Sequence, residues 1–85
     1  MTTLEEIGLR AGDRVRFQRR AGGRWQEGTV DRREKDGSVG VRDIKGASRA
    51  LPMERLEVRT SGPRGAKTWE PVPERAARAE QMGLW

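Results

Sequence analysis

Between Gly12 and Arg59, short runs of alternating apolar and polar residues are cut at close intervals by glycine-containing turns. This constrains the fold more than any other feature of the chain. Alternation at period two puts one side of each run in a core and the other in water, which is the signature of a half-buried strand. Glycine recurs too often for a helix, and no 3.6-residue period appears before residue 72. The expectation is an all-β domain of short antiparallel strands joined by hairpins.

Taken in order, the first strand is expected near Asp13–Arg19, where Val15 and Phe17 alternate with Arg14, Arg16 and Gln18. Arg19–Arg24 is a hairpin tip, with Gly22 and Gly23 free to take positive φ. The second strand spans Trp25–Arg33. Its apolar residues Trp25 and Val30 are out of phase, and a bulge or bend at Gly28 restores both to one face. Asp36-Gly37 marks the next tight turn. Val39 and Val41 point inward from the third strand, and Lys45-Gly46 opens the turn to a fourth at Ala47–Leu51. Pro52 ends that strand, because proline cannot donate to a ladder. A 3₁₀ turn over Pro52–Arg55 then leads into a fifth strand at Leu56–Val58. The expected core is Val15, Phe17, Trp25, Val30, Val39, Val41, Leu51, Leu56 and Val58, capped by Leu4, Ile7 and Leu9.

The ends differ in character. In residues 1–11, Thr2 or Thr3 followed by Glu5 or Glu6 resembles a capping box, so one helical turn ending at Gly8 is expected as a lid on the strands. Residues 12–59 form the strand domain. The Gly, Ser and Pro content of 60–68 reads as a flexible linker. Residues 69–85 read as a tail: an extended Trp69–Pro73, then a short helix over Glu74–Met82 stopped by Gly83.

Composition removes whole classes of chemistry. The chain has no cysteine and no histidine, so it carries neither a disulfide framework nor the commonest general base and metal ligand. It shows no P-loop or other catalytic motif, and no enzyme, cofactor, metal or small-molecule substrate is expected. Met1–Glu6 lacks the basic and apolar regions of a signal peptide, and no apolar run approaches a membrane span. A monomeric cytoplasmic protein without a membrane partner is the expectation. The formal charge is +5, from 18 basic and 13 acidic side chains, and 15 of the 18 are arginine. Arginine suits planar, bidentate recognition of phosphate, although a GC-rich genome also favours it. The charges are interspersed, so no polybasic arm is present.

The series Gly12-Asp13-x-Val15-x-Phe17, Trp25-x-x-Gly28-Thr29-Val30, Asp36-Gly37-x-Val39-x-Val41 and Leu56-x-Val58 resembles the SH3-like barrel superfamily, closest to its Tudor and KOW groups. The resemblance implies a small closed five-stranded barrel, with the N-terminal helical turn and the C-terminal tail as additions. Tudor-type reading of methylated Arg or Lys needs a cage of several aromatics, and this stretch offers only Phe17 and Trp25. Groove binding of proline-rich peptides is likewise disfavoured, since the chain has no tyrosine. KOW-type contact with RNA, or with the transcription and translation machinery, needs basic loops, which this chain has.

The residues expected to contact nucleic acid, RNA or DNA, are Arg14, Arg16, Arg19, Arg20, Arg24, Trp25 and Arg49. The guanidiniums follow the phosphates, and Trp25 stacks on a base. The bland reading of the same residues is a solvated loop beside a core tryptophan. Trp69 and Trp85 lie in a tail with little other apolar surface. They either fold back on the strands or anchor a protein partner, and the second option makes a protein-interaction adaptor the alternative function. Arginines gathered on one face favour nucleic acid; arginines scattered among carboxylates favour the adaptor.

Overall fold

The computed structural model describes residues 3–82. It holds six strands: β1 (Arg14–Gln18), β2 (Trp25–Arg33), β3 (Val39–Asp43), β4 (Ser48–Leu51), β5 (Leu56–Ser61) and β6 (Lys67–Pro71). One α-helix follows, α1 (Val72–Met82), and 3₁₀ turns occupy Glu5–Ile7, Met53–Arg55 and Pro63–Gly65. All strand pairings are antiparallel, in one sheet of order β4-β3-β2-β1-β5-β6. The all-β expectation holds at that level, with two differences. The sheet has a sixth strand, and it does not close, because β4 and β6 are its free edges.

The open sheet is nonetheless strongly curved. Val39 on β3 and Leu56 on β5 are separated by β2 and β1, which on a flat sheet sets them about 14 Å apart. Both belong to one buried cluster with Val15, Phe17, Val30, Val41 and Val58. The strands therefore wrap around Phe17, which is fully buried. The irregularity that helps this bend lies between Val30 and Arg32, where the β2–β3 register shifts by a residue. It does not lie at Gly28, which sits in unbroken register between Val15 and Asp43. Without a bulge at Gly28, Trp25 falls on the opposite face from Val30. It is 42% exposed and outside the core, contrary to expectation. Leu51 is only partly buried.

At the N-terminus a single turn forms over Glu5–Ile7, of 3₁₀ type, with Leu4 rather than a threonine at its N-cap. The Thr3 hydroxyl accepts a hydrogen bond from Glu6 N, and Gly8 closes the turn at φ 73°. Ile7 and Leu9 enter the core. The stretch 60–68, read as a flexible linker, is instead the β5–β6 hairpin, in which Thr60 pairs with Thr68 and Ser61 with Lys67. The helix starts at Val72, two residues earlier than expected, and buries Val72 and Ala79. Arg75 ties it to the lid by donating from Nε to the Gly8 carbonyl at 2.7 Å. The expected stop at Gly83 lies outside the described residues.

Candidate nucleic-acid interface

Two hairpin tips meet at one end of the sheet. The β1–β2 tip is held tight by Gln18, whose side-chain amide donates to the Gly23 carbonyl at 2.7 Å. Gly23 N bonds the Arg20 carbonyl at 2.9 Å, with Gly22 at φ 76°. Arg55 reaches across from the 3₁₀ turn to the Arg19 carbonyl at 3.2 Å. The β3–β4 tip is organised by Asp43, whose carboxylate accepts from Lys45 N and Ala47 N, both at 2.9 Å, and from Arg49 Nε at 3.3 Å. The Ala47 N–H, the Lys45 N–H and the Arg49 guanidinium together hold the Asp43 carboxyl below the usual carboxylate range.

Between the tips runs a groove of about 510 Å³ lined by Arg14, Arg19, Arg24, Lys45 and Arg49, with Trp25 and Ile44 among them. Five cations face two carboxylates, Glu27 and Asp43, giving a local charge of +3. Arg14 pairs with Glu27 at 3.4 Å and Arg49 with Asp43 at 3.3 Å. Among the described residues Arg19, Arg24 and Lys45 have no ion-pair partner. The structure thus brings together five of the seven residues singled out in the sequence. Arg20 lies on the other side of Trp25, in a shallow depression shared with Arg55 and Pro71.

Arg16 is elsewhere and does something different. Its guanidinium carbon lies 4.2 Å from the centroid of the Trp25 ring and 5.0 Å from that of Trp69. Its Nε and Nη2 converge on Oε1 of Glu57, at 2.7 and 2.5 Å. The Arg59 guanidinium carbon lies 5.9 Å from the centroid of the Trp69 ring. Two indoles and a carboxylate therefore form a cage for a guanidinium, already filled by the chain's own Arg16. The sequence reading missed it because Trp69 belonged to a presumed tail. Only the β5–β6 pairing, which sets Trp69 opposite Arg59, carries it onto the sheet. Trp69 is accordingly half-buried on its own domain, while Trp85 lies outside the described residues.

Ile44 and Lys45 were also missed as groove residues. Ile44 sits in the turn after β3, out of phase with Val39 and Val41, and is 79% exposed; an apolar residue beside Lys45-Gly46 was the available signal. Among the described residues no group of acidic side chains is placed to hold a metal, and no helix is long and apolar enough to cross a membrane. Set against family models, characterised proteins and solved structures, the chain has no match in any of the three.

Proposed function

We propose that this chain is a non-catalytic nucleic-acid-binding module that works through the groove between the β1–β2 and β3–β4 tips. The observation that carries the reading is the gathering of Arg14, Arg19, Arg24, Lys45 and Arg49 on one concave surface beside the exposed Trp25. The groove carries five cations against two carboxylates, and a local excess of positive charge attracts a polyanion. Arginine's planar fork matches phosphate oxygens in pairs. The SH3-like, KOW-type kinship suggested by the sequence is part of the proposal; the meander of β1 to β4 with β5 returning to β1 is compatible with an SH3-like order and does not distinguish its groups. The adaptor reading loses ground, because Trp69 is engaged with Arg16.

The test is a binding titration with labelled oligonucleotides at low salt. Arg19→Ala with Arg24→Ala is compared with Arg10→Ala with Arg32→Ala, which removes equal charge at the far end of β2, about 20 Å from Trp25. The groove pair is expected to lose most of its affinity, and the distal pair little. Equal losses in the two pairs, or no binding by the parent, contradict the proposal and bring the protein-interaction reading forward.

A further inference from the structure

We infer that the groove takes single-stranded nucleic acid, with one unpaired base against Trp25 and Ile44 and the neighbouring phosphates on Arg19, Arg24 and Lys45. This rests on the nucleic-acid reading and narrows it to a class of strand. Among the described residues, the exposed large hydrophobic side chains are Trp25 and Ile44, at 42% and 79%. Both line the same cationic groove. Neither contributes to the buried cluster: Trp25 packs on Arg16 yet stays 42% exposed, and Ile44 is largely in solvent.

A ligand that uses both the cations and the apolar pair must present anionic groups and flat apolar faces side by side. A duplex presents its phosphates but keeps its base faces stacked inside, which leaves Trp25 and Ile44 in water. A single strand exposes base faces between successive phosphates, and any base has a face to stack. The ring is also pre-set. Arg16 covers it at 4.2 Å and is itself held by Glu57 and Trp69. A platform fixed in this way loses little side-chain freedom on binding. An acidic peptide with an apolar anchor shares part of this chemistry. It makes poorer use of a flat indole and of a groove in which four of the five cations are arginines.

The experiment uses the full chain, a labelled oligothymidylate, a mixed-sequence duplex of equal phosphate count, and a polyglutamate peptide, all at low ionic strength. The single strand is expected to bind about tenfold tighter than the duplex. Trp25→Ala and Ile44→Ser are each expected to weaken single-strand binding several-fold, to leave duplex binding unchanged, and to keep the salt slope. Trp25→Phe should retain most of the affinity. Ile44→Ser guards against misfolding, since its side chain is largely in solvent. If the duplex binds as tightly as the single strand while the arginine variants still weaken both, the groove reads nucleic acid but the single-strand inference falls. If neither oligonucleotide binds, or polyglutamate binds more tightly than both, the inference and the reading beneath it fall together.

Discussion

Gly28 is fixed by what surrounds it. A Cβ there would lie 2.5 Å from the Arg42 carbonyl oxygen and 2.9 Å from Val41 Cγ1, so even alanine forces β2 away from β3. Gly28→Ala is expected to cost about 1–3 kcal/mol as an overpacking change. Thermal and denaturant unfolding read this directly, and an unchanged midpoint contradicts the close approach. Arg16 is the other residue whose environment decides its role. Its side chain is 27% exposed and touches two rings and a carboxylate. Arg16→Ala is expected to destabilise the fold by roughly 2 kcal/mol and shift the tryptophan emission. Arg16→Lys should recover less than half, because an ammonium cannot lie flat between indoles. Full recovery by lysine would show that the stacking contributes nothing.

Among the elements, β6 and α1 matter most for how the fold is completed. Val72 is fully buried although it stands next to two prolines in a stretch with no strand alternation. Val72→Ala is expected to cost about 2 kcal/mol, and a chain ending at Ser61 should lose its cooperative melting transition. An unaltered melt after truncation contradicts the packing of α1 on the strands. These elements show why the sequence was legible only in part. The strands β1 to β5 carry alternation and glycine turns within themselves, so local chemistry marks them. β6 has a single apolar side chain, Trp69, and ends on Pro71; its pairing is decided by the continuation of β5, a tertiary effect. Trp25 was misplaced for a related reason. Its phase offered either a bulge or an outward face, and only the register with Gln18 and Gly28 chooses the face. Four of the five groove cations, Arg14, Arg19, Arg24 and Arg49, were legible as residue types and Lys45 was not, whereas their convergence depends on two tips that local sequence does not bring together. The β3–β4 tip also makes a pH prediction. The folded Asp43 carboxyl titrates below its ordinary value, so its contribution to stability is present above about pH 4 and fades as pH falls through the lower folded value. Asp43→Asn should flatten that acid-side loss in thermal melts. An identical acid profile in the variant contradicts Asp43 as the organiser of the turn.

At the scale of the whole molecule, the net charge is +5, and the groove between the two tips of the curled sheet gathers five cations against two carboxylates, with Arg19, Arg24 and Lys45 outside any ion pair among the described residues. The central claim is that this gathering binds phosphates, and counterion release gives phosphate contacts a signature that other contacts lack. The most direct measurement is the slope of log affinity against log salt for a labelled single strand, taken for the parent and for Arg19→Ala, Arg24→Ala and Lys45→Ala combined. Each phosphate contact on a single strand contributes about 0.7 to the slope, so the triple variant is expected to flatten it by about two units. A slope that stays the same after all three cations are removed contradicts the account.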